Sequence, residues 1–383
     1  MYNKILGIDA STNGSGGVQR HLIEILRNFK PAKHNFSKIV VWGSEALLSK
    51  IPNNNYVIKI THPLLNKTIL HRFLWQFKFR FNSFREENIS ILFNPFGTYI
   101  GKFRPYVTMS QNMLVFDKNE QRYFGISLLR AKFLLLFFIQ KKSFNNSQGI
   151  IFISNYAKQY IKKHVNYSTL KTITIYNGIS DDFKKEPSIQ YPINHYNLNK
   201  PFKILYVSPI FKYKHHLEVI EAFLKLKSKG YPIILQLVGG IGQKNYATQL
   251  KLKIDTLNQE NKYIFWETDI DLKGVVDFYH NCEAFIFASS CENMPNILIE
   301  ALASSLPIVC SSSNPMPEFL GSNGYYFNPE SIVDIELKIE NMLNDTTFRS
   351  ELALNAQNIA KQYKWETCSD ETFDFLYSFI NIN

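Results

Sequence analysis

Cysteine is scarce in this chain of 383 residues. There are four, Cys282, Cys291, Cys310 and Cys368, all in the second half and none in a CxxC or Cys/His ligand spacing. This argues against a disulfide framework and a structural zinc, and makes a reducing compartment the default. Long apolar runs are missing too. The most apolar stretch, 126–139, is interrupted by Arg130 and Lys132 and falls short of the roughly 20 residues a spanning helix needs. Residues 1–9 read as a short strand and not as a cleavable signal, so the expected location is the cytoplasm. No acidic pair sits where a metal clamp would need it. Asp181-Asp182 lies in a polar stretch and reads as solvated, so neither a metal nor another cofactor is expected.

What is present suits a large folded interior. Hydrophobic residues make up 45% and aromatics 15%, and at this length two domains are expected. The net charge of +11 is unevenly spread: residues 1–190 hold 27 Lys and Arg against 10 Asp and Glu, a net +17, whereas 191–383 hold 16 against 22, a net −6. An anionic partner is therefore expected for the first half only. Nucleic acid is not that partner, because no RRM, OB or helix-turn-helix pattern accompanies the charge.

Short apolar runs alternate with helical patterns, as in parallel α/β sheets. The first series of expected strands is 4–8, 38–42, 56–60, 89–93, 106–109, 149–153 and 172–176; the second is 202–207, 233–238, 263–266, 284–287, 307–310 and 324–327. Residues 181–200, polar and containing Pro187 and Pro192, read as a linker. Helices are expected at about 18–29, 216–227, 296–304 and 367–380, the last rich in aromatics.

Two stretches carry candidate chemistry. The run Asn13-Gly14-Ser15-Gly16-Gly17 follows the first strand and opens a helix. It reads either as a tight turn or as a backbone cradle for an anion at a helix N-terminus. The run from Ser289 to Ala303 leads out of the 284–287 strand, through a loop with Glu292, to a helix that begins at Pro295 and carries Glu300. These glutamates are either ordinary surface residues or two carboxylates aimed at a ligand beyond the strand's carboxyl end.

The Glu292-x7-Glu300 element and its continuation, Ala301 to Val309, strongly resemble the signature of GT4-family retaining glycosyltransferases. Weaker matches follow in the right order: Gly16-Gly17, Ser154-Asn155-Tyr156, Tyr176-Asn177-Gly178-Ile179, Tyr206-Val207-Ser208 with Tyr213-Lys214-His215-His216, Pro317-Glu318, and Tyr363-Lys364-Trp365-Glu366. The resemblance implies an α/β protein of the GT-B fold: two Rossmann-like domains facing each other across a deep cleft, with a C-terminal helix crossing back to the first. It sets an acceptor domain at 1–185, a donor domain at 186–365 and the crossing helix at 366–383. It implies a retaining transfer of a hexose from a UDP- or GDP-linked donor to a glycan, probed below against a GT-B protein that binds sugar without transferring it. Lys214 would neutralise the leaving diphosphate, with Lys212 and the helix start at Asn296 and Ile297. Glu300 would hold the ribose, Glu292 the donor sugar, and Ser208, Gly16 and Gly17 would complete the donor site. Two positions depart from the family: Pro209 where many relatives have arginine, and Pro295 where many have glycine. On the acceptor side the family often has a histidine where this chain reads Ser110-Gln111-Asn112-Met113. Gln111 and Asn112, with His21, are the acceptor candidates.

Within the basic half, 62–85 and 122–144 interleave Arg and Lys with Phe, Trp and Leu. Such a pattern fits peripheral docking on the inner, anionic face of the cytoplasmic membrane, presenting the acceptor site to a glycan on a polyprenyl diphosphate. It equally fits an ordinary helix pair with solvated charges.

Overall fold

The computed structural model describes residues 4–12, 16–166, 170–259 and 262–380. Asn13, Gly14 and Ser15 of the glycine-rich turn lie outside these.

The chain forms two compact units. The first holds a seven-stranded sheet of β1 (Ile5–Asp9), β2 (Lys38–Trp42), β3 (Val57–Ile60), β4 (Ile91–Asn94), β5 (Tyr106–Ser110), β6 (Gly149–Phe152) and β7 (Lys171–Thr174). The strands pair in the order β3-β2-β1-β4-β5-β6-β7, every pair parallel. The second unit holds β8 (Phe202–Val207), β9 (Ile233–Val238), β10 (Ile264–Glu267), β11 (Ala284–Phe287), β12 (Ile308–Ser311) and β13 (Tyr325–Phe327), ordered β10-β9-β8-β11-β12-β13 and again parallel. These are two Rossmann-like α/β sheets. Helices on both faces bury the central strands throughout, as in β4 and β11, which explains why their sequences are continuous apolar runs. Each sheet reverses its strand order once, beside β1/β4 and beside β8/β11. Ligands of such sheets bind beyond the carboxyl ends of those strands.

The first unit is closed by the end of the chain. Its helix Gly17–Arg27 buries His21, Leu22, Ile25 and Leu26, and helix Trp365–Tyr377 packs on it. Ser369 Oγ donates to the Ile25 carbonyl at 2.8 Å, the Phe373 ring meets Phe29 at 4.7 Å, and the His34 imidazole bridges Asp370 and Asp374 at 3.0 Å each. Gly178 faces the Trp365 backbone so closely that no Cβ fits there.

Residues 181–200 differ from a free linker. Phe183 and Tyr196 are buried, and the buried Arg349 donates to Gln190 Oε1 at 2.9 Å and to the Tyr191 carbonyl at 2.5 Å. The stretch is polar because it runs over the surface, yet it is stapled to the second unit at three points.

Candidate functional site

In the second unit, the loops after the neighbouring strands β8 and β11 meet at the strand-order reversal. After β8 the chain makes one turn of 3-10 helix, Lys212–Lys214. His215 then adopts a left-handed conformation, φ 52°, which directs the chain into helix His216–Ser228. The turn buries Lys214, and Tyr206 on β8 fixes it by donating its hydroxyl to the Lys214 carbonyl at 2.5 Å. The Lys214 ammonium ion-pairs with Glu292 in the loop after β11 and lies 5.3 Å from the Tyr213 and Phe287 rings. Both side chains of the pair are mostly buried, 5% and 17% exposed. A buried ammonium beside a carboxylate and two ring faces is a strong, directed cation in a low-dielectric corner.

Helix Asn296–Ala303 starts one residue after Pro295, which serves as its N-cap and not as its first residue. The Pro295 carbonyl still accepts from Leu298 N and Ile299 N. Glu300 in this helix is buried and accepts from the Tyr279 hydroxyl at 3.2 Å; the same hydroxyl reaches the Ile297 carbonyl at 3.1 Å. Beside the helix start opens a cavity of about 310 Å³ lined by Ser208, Pro209, Gly239, Gly240, Asp269 and Ile297, among others. Gly239 (φ 152°) lies so close to the Ser208 carbonyl that no Cβ fits there. The structure thus joins Lys214 to Glu292 directly and puts Ser208 and Ile297 in one cavity. Asn296 and Glu300 sit in the same helix, while Lys212 is exposed, with its ammonium 5.5 Å from the Tyr123 ring.

Sequence reasoning missed the strap that holds this corner. Residues Asn119–Tyr123 lie between β5 and helix Leu128–Asn145 in the chain, yet they belong to the second unit. Ser290 Oγ donates to Glu120 Oε2 at 2.6 Å and neighbours His215 Nε2 at 3.0 Å. Tyr123 stands edge-on to His215, and its hydroxyl donates to Glu330 at 2.5 Å. Nothing in a single sequence announces a contact between residues 170 apart.

The first unit has a larger cavity, about 400 Å³, at the carboxyl ends of β1, β4 and β5. Gln111 and Asn112 both line it. Gln111 Nε2 donates to the Pro95 carbonyl at 3.0 Å, and Asn112 Oδ1 caps a 3-10 turn by accepting from Leu114 N at 3.0 Å. His21 does not line it. That histidine is fully buried, with Nδ1 2.9 Å from Asn177 Oδ1 and its ring edge-on to Trp365. Burial lowers its pKa to about 4, so it is a neutral core residue with no surface to offer an acceptor. The apolar positions Leu22, Ile25 and Leu26 face inward at helical spacing, and position 21 shares their side. Gly16 caps helix Gly17–Arg27 at φ 60°, with open space where a Cβ would stand. Among the described residues no cluster of His, Cys, Asp and Glu is suited to hold a metal ion, and the four cysteines are buried and form no disulfide.

Comparison with known proteins places this geometry. The O-antigen chain mannosyltransferase B of Escherichia coli is 24% identical over 238 residues, 61% of each chain. The capsular polysaccharide biosynthesis glycosyltransferase CapM of Staphylococcus aureus is 26% identical over 248 residues, 61% of this chain and 64% of that one. The match therefore spans a little over three fifths of the length of these relatives. Among solved structures, Anabaena HepE in complex with UDP superposes with a TM-score of 0.71 at 20% identity, over 98% of this chain and 100% of that one. This likeness establishes a shared GT-B fold. Residues 15–183 match the model of Glycosyltransferase Family 4 and residues 193–360 that of Glycosyl transferases group 1, so between them the two models take in every strand of both sheets but β1, and the chain belongs to the GT4-type group 1 glycosyl transferases.

Proposed function

We propose that the protein is a retaining hexosyltransferase of cell-surface polysaccharide synthesis, O-antigen or capsule, using a nucleoside diphosphate sugar. The observation that carries this reading is the buried Lys214–Glu292 pair, in the same unit as the cavity lined by Ser208, Gly239 and Ile297. The nucleoside would occupy that cavity, with Glu300 toward the ribose and Ser208 and the N–H groups at Asn296 and Ile297 toward the diphosphate. The acceptor hydroxyl forms its bond to the anomeric carbon as the bond to the β-phosphate oxygen breaks, and that oxygen takes the acceptor's proton. Lys214 neutralises the negative charge growing on the diphosphate, and Glu292 stabilises the positive charge growing on the sugar ring. No metal enters this scheme, and turnover is expected to persist in EDTA.

The relatives named above include a mannosyltransferase of an O-antigen chain and a capsule glycosyltransferase, and the solved neighbour binds UDP; these support the substrate classes. We further propose that the enzyme works in the cytoplasm, docked on the inner membrane face. Among the described residues no helix is long and apolar enough to cross a membrane. Helices Ile69–Lys78 and Leu128–Asn145 nevertheless expose Leu70 (75%), Phe77 (80%) and Leu128 (91%), and both carry exposed lysines, Lys78 on the first and Lys141 and Lys142 on the second.

A thermal-shift series with UDP, GDP, dTDP and CMP tests the donor site, since a ligand at 100 times its Kd stabilises by about 2.7 kcal/mol. The Glu292→Ala and Lys214→Ala variants should keep the fold and lose transfer. Transfer unchanged in both would reject the assignment. Nucleotide binding without transfer to any glycan acceptor would favour a sugar-binding protein of the same fold.

A further inference from the structure

The strap Asn119–Tyr123 brings a carboxylate, that of Glu120, to the corner that holds Lys214 and Glu292. Three polar side chains stand there in a row. Ser290 Oγ donates to Glu120 Oε2 at 2.6 Å and lies 3.0 Å from His215 Nε2. The Tyr213 carbonyl, 3.1 Å from the same hydroxyl, already accepts from Ser290 N at 3.0 Å. A carboxylate is the stronger acceptor, so the single hydroxyl hydrogen of Ser290 goes to Glu120. The Ser290 oxygen is then left to accept from His215, which must carry its proton on Nε2. That tautomer also suits the other ring nitrogen. His215 Nδ1 is buried without a hydrogen-bond partner, with Glu218 Oε1 3.8 Å away, and a proton there would make a buried N–H with no acceptor, which is costly. The row ties together the two chain segments that carry the ion pair. His215 follows Lys214 directly, in the left-handed conformation that turns the chain into helix His216–Ser228, and Ser290 stands two residues before Glu292. The strap is tethered in turn, because Arg122 and Tyr123 both bond Glu330.

We propose that Glu120 is a positioning residue for Lys214. Its carboxylate orients the Ser290 hydroxyl, Ser290 holds the His215 ring, and the His215 backbone sets where the Lys214 side chain starts. The Lys214–Glu292 pair can then part to admit a donor while the two loops keep their spacing. Without Glu120 the Ser290 hydrogen is free to turn toward His215 or Tyr213, and the turn is held by one bond fewer. What Lys214 then does rests on the transferase reading: it meets the charge that the diphosphate gains as the sugar leaves. Free nucleoside diphosphate already carries that charge, so its binding reports on Lys214 without any transfer.

Transfer assays and titration calorimetry of the full chain test this in Glu120→Ala, Glu120→Gln, Ser290→Ala and E120A/S290A. Glu120→Ala should lower kcat by about 5-fold, the equivalent of one hydrogen bond, and leave the donor KM little changed. It should weaken UDP or GDP, whichever the wild type binds, by about the same 5-fold factor and leave the matching monophosphate as it was. Glu120→Gln should recover most of both losses, because its amide oxygen still accepts from Ser290. The double variant should be no worse than Ser290→Ala, since Glu120 acts through that hydroxyl. A lower melting temperature in Glu120→Ala with kcat and diphosphate affinity intact would mean a purely structural contact and overturn the proposal. Losses that add in the double variant would overturn it as well. If the wild type transfers sugar and Glu120→Ala transfers it equally fast, this inference alone fails. If the wild type neither transfers sugar nor prefers a diphosphate to its monophosphate, the transferase reading fails and takes this inference with it.

Discussion

Single side chains carry two separable burdens here, chemistry and the upkeep of a buried charge. Lys214→Met keeps the volume of the side chain but leaves Glu292 with no cation; at 17% exposure solvent offsets part of the loss, and destabilisation of about 2 kcal/mol is expected. Adding Glu292→Gln should restore most of this stability without restoring transfer, and denaturant midpoints of the four members of the cycle would read it out. The buried histidines give a pH prediction. Burial holds His21 at a pKa of about 4 and His216 at about 3. Both folded values lie below the unfolded one of about 6.5. Their contribution is therefore complete above pH 6.5 and declines as pH falls toward the folded values, by about 2 kcal/mol for each histidine between pH 6.5 and pH 5. Unfolding followed at pH 7.5 and 5.0 should show the decline, and His216→Gln should flatten it for the second unit; a slope unchanged in that variant would contradict the assignment. At this scale the sequence foretold the placing of Glu292 in the loop after β11 and of Glu300 in the helix that follows. It is silent on His21, because the same helix position is compatible with a surface or a core face until the partner of that face is known.

Among elements, the loops after β8 and β9 shape the second unit's cavity. Gly239→Ala would force a Cβ against the Ser208 carbonyl at a φ of 152°, so the β8 and β9 loops must part. Nucleotide affinity should fall at least 10-fold. The strap gives another test: Glu120→Ala removes the acceptor for the Ser290 hydroxyl, and Ser290 borders His215 and the Lys214 turn. A loss of about 1 kcal/mol is expected from the hydrogen bond. If the strap also orients Lys214, the rate should fall several-fold with the donor KM little changed, whereas a merely structural role would move stability alone. Strand positions were readable to within one or two residues, because parallel strands buried on both faces are apolar at consecutive positions. Helix Leu128–Asn145 was not separable in advance from a membrane-binding segment, since its apolar residues face every direction; five of its side chains, including Phe133, Phe137 and Gln140, prove to be buried.

For the whole molecule, the charge division predicts a salt-dependent encounter with anionic surfaces. Vesicles containing anionic lipid should carry the protein upward in a flotation gradient, and neutral vesicles should do so less. Replacing Lys141 and Lys142 with Gln should weaken binding by about 1 kcal/mol per charge, and absence of flotation with either lipid would discard membrane docking. The two-domain plan was legible because the strand series is interrupted once by a polar stretch. The stapling of that stretch by Arg349 was not, since a lone arginine in a helix gives no sign of burial. The return of residues from Tyr363 onward to the first unit means that neither half is a contiguous length of polypeptide. A stop codon shortly before Trp365 would leave the second sheet whole and yet strip Phe29, His34 and Phe36 of their cover. Damage at the tail would thus be felt first at the opposite end of the gene, and any exchange of the first unit between related chains must carry the last helix along with the first.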